Sequence, residues 1–247
     1  MVSVELAQNA RRLLADNIND LAEAARRIAK EEAGAIAFNG IYGLFGNIDN
    51  PDISTRIMGM KNRPHDKKLI GTIAPENLDE HVDFSKTSYT LDQIVRLQRE
   101  LRAIGVILPA SSLAPKHVVN GDVGKETILN IWTEYQPLRT IVEKARELGM
   151  RALIGTSANK SGEGTHFLTE ELLVDFGDEI DFVVEADYSQ LSEEFRKSTS
   201  VIDLTGSNPR LHRLGSVPES EIRNKLKELN FPELVVNTEK LVVVSPR

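Results

Sequence analysis

The chain has no cysteine. That excludes disulfides, thiolate metal sites and a cysteine nucleophile, and it fits a reducing compartment. Aromatic residues make up only 5% of the sequence and do not alternate with basic residues, so a stacking platform for single-stranded nucleic acid is not expected. No apolar run approaches bilayer length, and the N-terminus is not a basic–apolar signal sequence. The expected location is cytoplasmic, without a membrane partner. His-Glu-x-x-His, the Walker phosphate loop and the Gly-x-Ser-x-Gly nucleophile turn are all missing. His65, His81, His117, His166 and His212 form no helical pair, and no carboxylate spacing marks out a metal site.

What is present suits a globular chain: 40% of the 247 residues are apolar, enough for a core, and 27% are charged. The net charge of −7 means that the surface as a whole repels polyanions, so an anion site has to be a local basic cluster. One cluster stands out. Lys61-Asn-Arg63-Pro64-His65-Asp-Lys67-Lys68 holds four Lys or Arg and one His in eight residues. Lys offers phosphate a compact charge and Arg a planar fork. A solvated surface and an anion site are both open readings of such a loop.

Helices are expected over Val4 to Ala15 and over Ile18 to Glu32, the second with an apolar face at 3.6 spacing. Ala35 to Phe38 reads as a buried strand. Asn50-Pro51 opens a helix that ends near Lys61. Leu69 to Ile73 reads as a strand and Pro75 to Lys86 as polar surface loop. Thr90 to Gln93 is a capping box, and its helix is expected to run to Gly105. Strands follow at Val106 to Pro109 and Glu126 to Thr133, with loop between, then a helix from Pro137 to Gly149. A strand over Ala152 to Ile154 breaks into a loop of Gly155, Thr156, Ser157, Asn159, Ser161, Gly162 and Gly164. Such a loop can aim hydroxyls and backbone N–H groups at anionic oxygens. Thr169 to Gly177 reads as a helix, and Asp181 to Ala186, Ser200 to Leu204 and Arg210 to Leu214 as strands. Glu219 to Leu229 is helical, and Leu234 to Val244 suggests a hairpin. Alternating strands and helices imply one α/β domain with a mixed sheet, spanning 18–230. An N-terminal helical extension covers 1–17 and a C-terminal extension 231–247.

Four motifs, in order, resemble the YrdC-like family of threonylcarbamoyl-adenylate synthases. They are Ile41-Tyr42-Gly43-Leu44, Lys61-Asn-Arg63-Pro64, Thr156-Ser157-Ala158-Asn159 with Ser161-Gly162, and Thr199-Ser200-Val-Ile-Asp203 followed by Arg210-Leu-His-Arg213-Leu-Gly215. The resemblance implies a twisted mixed sheet with flanking helices and a concave basic cleft. It implies a nucleotidyltransferase that joins ATP, bicarbonate and L-threonine into threonylcarbamoyl-adenylate, feeding a tRNA adenosine modification. Lys61 and Arg63 would be catalytic. Together with Ser157, Asn159, Thr199 and Arg213 they would hold the nucleotide and its phosphates. Tyr42, Thr72 and Ser200 would line the substrate space. Magnesium would arrive with ATP, held by phosphates and water rather than by a protein cage. Partners would be ATP, bicarbonate, an amino-acid-like acceptor, and tRNA or tRNA-modification proteins.

The sequence also departs from the family pattern. Gly40 stands where the family has Thr, Thr72 where it has His, and Asn130 where it has Arg; Val106-Ile-Leu-Pro-Ala-Ser replaces its Trp-Pro-Gly-Pro-x-Thr. The nucleotide side is kept and the acceptor side rewritten. Two alternatives therefore stand beside the synthase reading: a catalytically reduced relative that binds nucleotide or RNA, and a carbamoyl-adenylate former with another acceptor.

Overall fold

Asn39-Gly40 shows how the sequence sets up this fold. Both residues take positive φ, 48° and 86°, the backbone of a two-residue hairpin turn whose twist matches the strands on either side. The turn joins β2 (Gly34–Phe38) to β3 (Ile41–Asn47) in antiparallel register. Gly40 thus serves the turn. The Asn-Gly pair was the available signal for it.

The computed structural model describes residues 9–62, 68–160, 163–191, 197–237 and 242–243. Before the hairpin come β1 (Arg11–Leu14) and α1 (Ile18–Ala29); after it, α2 (Pro51–Met60), β4 (Ile70–Thr72), α3 (Leu91–Glu100) and β5 (Ala103–Pro109). There follow β6 (Val119–Asn120), β7 (Thr127–Thr133), α4 (Gln136–Glu147), β8 (Leu153–Ser157), α5 (Thr169–Phe176) and β9 (Phe182–Glu185). The chain closes with β10 (Ser200–Asp203), β11 (Arg210–Leu214), α6 (Glu219–Glu228), β12 (Val235–Val236) and β13 (Val242–Val243). All strands join one mixed sheet, ordered β1-β9-β2-β3-β8-β4-β7-β5-β10-β11-β12, with β6 on β7 and β13 on β11.

Local chemistry fixes the helix ends. Asn17 and Asn50 cap α1 and α2 through their side-chain oxygens, and Thr90 and Gln93 form the reciprocal capping box of α3. Two apolar clusters cover the two faces of the sheet. One packs α1 and α4 through Leu21, Ile28, Ile141 and Val142 onto Ile36, Phe45 and Leu153. The other gathers Leu44, Ile57, Ile94, Val106 and Ile154 on the opposite face.

Several expectations are corrected. Residues 11–14, expected to be helical, form β1, parallel to β9. Leu13 alone of the four is buried there, the pattern of an edge strand with one buried face; the start of that expected helix lies outside the described residues. Gly105 does not stop α3. It lies inside β5, where Ile131 and Val201 would crowd any Cβ. Pro75–Glu80 is a 3₁₀ helix with Pro75 and Leu78 buried, and not surface loop. Among the described residues the C-terminal runs do not pair with each other: β12 and β13 each lie parallel to β11, at Arg210↔Val235 and Arg213↔Val242.

Candidate functional site

Strand periodicity decides which residues share a face, because side chains two apart point the same way. Opposite Asn130 stand Gly71 on β4 and Val106 on β5. This row faces the helix α3 side, where Asn130 is fully buried. Its amide accepts from Ile73 N–H at 2.8 Å and donates to Ile73 C=O and Gln98 Oε1, both at 3.2 Å. Its neighbours Leu129 and Ile131 face the other way, into a cavity of about 440 Å³.

That cavity lies over the middle of the sheet. Thr72, Ser157, Thr199 and Arg213 line it, together with Lys68, His212 and an apolar wall that includes Phe38, Phe45, Leu129 and Ile131. Lys68 belongs to the basic cluster already singled out; His212 and the apolar wall were not foreseen from the motifs. The signal for the wall was the alternation within β7, legible only once the register was known.

Lys61 adjoins this space through the Ser157 loop. Helix α2 stops because Asn62 takes the left-handed conformation, φ 48°, which leaves Lys61 as the capping residue. Lys61 is buried, and its ammonium donates to the Ser157 carbonyl, to the Asn159 carbonyl at 2.6 Å and to Asn159 Oδ1 at 3.1 Å. Ser157 Oγ in turn donates to Asn159 Oδ1. One buried cation therefore folds the Ser157–Asn159 turn back on itself. Arg63, its expected partner, lies outside the described residues, as do His65, Ser161 and Gly162.

Arg213 differs in kind. Its Nε donates to the Thr199 carbonyl at 2.9 Å, which ties β11 to the buried Thr199 beside the cavity. Among the described residues it has no carboxylate partner. Burial alone acts on its proton affinity and pushes the guanidinium below its ordinary pKa.

Two expected lining residues point elsewhere. Tyr42 is fully buried on the opposite face, with its hydroxyl 2.7 Å from Thr169 Oγ1 and desolvation raising its pKa. Its backbone still serves the loop: Tyr42 C=O accepts from Ala158 N–H, and Tyr42 N–H donates to His166 C=O, both at 2.9 Å. Ser200 is also fully buried, donating to the Val217 carbonyl at 2.8 Å and accepting from Gly215 N–H at 2.9 Å and Val217 N–H at 3.2 Å. It stitches the turn after β11. Neither residue lines the cavity.

Residues 26–215 match the family model described as "Telomere recombination", the Sua5/YciO/YrdC domain. A threonylcarbamoyl-AMP synthase of Pyrococcus abyssi is 26% identical over 191 residues, covering 77% of this chain and 52% of that protein. The chain thus spans about half the length of that relative. A solved structure of P. abyssi Sua5 complexed with L-threonine superimposes with a TM-score of 0.71 at 20% identity, covering 92% of this chain and 62% of that one. E. coli YciO superimposes with a TM-score of 0.66 at 18% identity, covering 87% and 98%. The extent of the family match decides the matter: this chain belongs to the Sua5/YciO/YrdC family, and its mixed α/β sheet with flanking helices is the fold of those neighbours.

Proposed function

We propose that this protein uses ATP and bicarbonate to convert an amine into a carbamoyl-adenylate, releasing pyrophosphate, in the service of tRNA adenosine modification. The observation that carries the reading is Arg213. A half-buried guanidinium in a cavity wall, without a carboxylate among the described residues, is a charge left uncompensated, and an anionic ligand would compensate it. Ser157 and Thr199, which line the cavity, would add hydroxyls along the phosphates, while Asn159, outside the lining and donating its amide to the Lys160 and Glu163 carbonyls, would shape the turn. Lys61 would hold the Ser157–Asn159 turn in shape, and Arg63 would add a second guanidinium. Relatives named threonylcarbamoyl-AMP synthase, and one solved with L-threonine, support an amino-acid-like acceptor and make threonine the first to try.

The chemistry asks little of protein nucleophiles. The neutral amine attacks the bicarbonate carbon; water leaves and a carbamate forms. A carbamate oxygen then displaces pyrophosphate from the α-phosphorus. Catalysis rests on aligning these groups and on cationic donors fixed around the phosphates. Among the described residues no three carboxylates or imidazoles gather into a metal cage. A magnesium ion would fit only on the nucleotide's own phosphates with water, and there it would offset phosphate charge. Any tRNA contact would have to be local, given the net charge of −7.

The test is pyrophosphate release with ATP, magnesium, bicarbonate and an amino acid, each omitted in turn. Release that needs bicarbonate and amine supports the reading. ATP binding without release would favour a nucleotide-binding relative, and no ATP binding would end the nucleotide assignment.

A further inference from the structure

The cavity floor is laid out in rows by the strand register. One row crosses five strands: Phe45 on β3 stands opposite Gly155 on β8, and Gly155 opposite Ile70 on β4. Leu129 on β7 is next, one residue from Asn130 as Ile70 is from Gly71, and opposite Leu129 stands Ile107 on β5. Every side chain in this row is apolar. Gly155 is part of the design, since a Cβ there would sit 2.8 Å from the Phe45 ring. Its absence lets that ring lie across β8. The next position in register is Asp203, but its carboxylate is taken by the N–H and hydroxyl of Thr205, and it does not line the cavity.

Polar groups flank the row on both sides. Ser157, Lys68 and Thr127 lie two residues from Gly155, Ile70 and Leu129 and line the cavity beyond one edge. Beyond the other edge, Thr72 and Ile131 lead through Gly105 and Val201 to Arg213. The charged or titratable groups among the described lining residues are Lys68, His212 and Arg213, with no Asp or Glu. The walls favour anions at the edges and an apolar body in the middle. Among the described lining residues an amine meets no carboxylate to hold it as ammonium. It would enter uncharged, which is the form that attacks carbon.

We propose that the acceptor amine is an amino acid with a sizeable apolar side chain, of the valine, isoleucine, leucine or phenylalanine kind, seated on the Phe45–Ile70–Leu129–Ile107 row. This rests on the carbamoyl-adenylate reading and narrows it. An apolar patch rewards added methyl and methylene groups. A hydroxyl placed there gives up water without finding a partner, so threonine loses to its apolar isostere.

The experiment measures bicarbonate-dependent pyrophosphate release by the full chain across the amino acids. The expected result is kcat/KM at least about tenfold higher for an apolar amino acid than for threonine. Threonine equal or better would overturn this inference and leave the carbamoyl-adenylate reading standing. No bicarbonate-dependent release with any amino acid would overturn both, and an ATP titration by calorimetry would then show whether the nucleotide site survives alone. In the variant Leu129→Ala, KM for the best apolar acceptor should rise about tenfold while KM for ATP stays within twofold. Equal changes in both would mean that Leu129 only supports the sheet.

Discussion

Two arginines at opposite parts of the sheet border two different hollows, and their partners differ. Arg213 borders the central cavity and has no carboxylate partner among the described residues; burial lowers its pKa. Arg12 borders a larger pocket of about 710 Å³ beside β1 and β9, with Tyr135, Phe167 and Tyr188 among its walls. It is the only Lys or Arg among the described residues lining that pocket. Its guanidinium bonds to Glu185 and Glu170, and these hydrogen bonds raise its pKa. The one cation of the larger pocket is paired with carboxylates, and the guanidinium of the smaller cavity is not. An unpaired cation, and not volume, is what sets the central cavity apart as the place to look for an anionic ligand.

The sharpest way to break that comparison is to remove each arginine in turn. Arg213→Ala should weaken ATP binding roughly 10- to 100-fold, the loss of a charge-assisted hydrogen-bonding group. Arg213→Lys should recover little of it, because one ammonium does not replace a planar fork. Arg12→Ala should leave ATP affinity within about twofold, since its charge is already spent on two glutamates and is partly exposed to solvent. Calorimetric titration of the three variants decides. An Arg12 variant that loses ATP while the Arg213 variant keeps it would reverse the assignment.

Ser200 sharpens the contrast between the two faces of the sheet. It sits next to Thr199, yet its hydroxyl satisfies two backbone N–H groups and one carbonyl on the buried face. Ser200→Ala leaves those groups without their partner in the interior, at a cost of about 1–3 kcal/mol. Urea unfolding should show that loss, while ATP affinity measured well below the unfolding midpoint stays within a few-fold. A large affinity loss with unchanged stability would put Ser200 back at the ligand.

Much of the fold was legible because its local signals agree with its packing. Asn50-Pro51 and the Thr90–Gln93 box opened helices where expected, and the buried strands from Gly34 and Phe182 were largely apolar runs. Failures came where tertiary pairing outvoted the local pattern. Arg11–Leu14 is a strand because β9 offers it an edge, and β12 and β13 are parallel additions because β11 does. The candidate site divides in the same way. Motif order brought Ser157, Thr199 and Arg213 to one cavity, with Lys61 behind the Ser157 loop. Order along the chain says nothing about facing, so Tyr42 and Ser200 were expected on the wrong side of the sheet, and the apolar row from Phe45 to Ile107 went unseen.

Tyr42 gives a smaller test of the same division. Removing its hydroxyl deletes the bond to Thr169, and a second at 3.3 Å from Ala186 N–H. Tyr42→Phe keeps the ring and the backbone that pins Ala158 and His166. It should cost about 1 kcal/mol in stability, and ATP affinity should stay unchanged. Loss of ATP binding in this variant would mean that the hydroxyl reaches the ligand after all.

The smallest expected effect is a pH slope that belongs to stability alone. His81 is fully buried, and neither of its ring nitrogens has a hydrogen-bond partner among the described residues. Desolvation first, and the charge of Arg151 after it, lower its pKa below the usual 6.5; Glu80 and Asp49 oppose them, and Arg146 adds the smallest push downward. The folded protein therefore binds fewer protons here than the unfolded chain does, and stability rises with pH. The contribution is complete above the unfolded pKa near 6.5 and is lost as the pH falls from there through the lowered folded pKa. His117, lowered mainly by burial as well, adds a slope of the same sign. Urea unfolding between pH 5 and pH 8 should show the wild type losing stability on acidification, with a shallower loss in His81→Leu. Identical slopes in the two proteins would mean that His81 is protonated as readily folded as unfolded, and the buried face would then hold an uncompensated charge of its own.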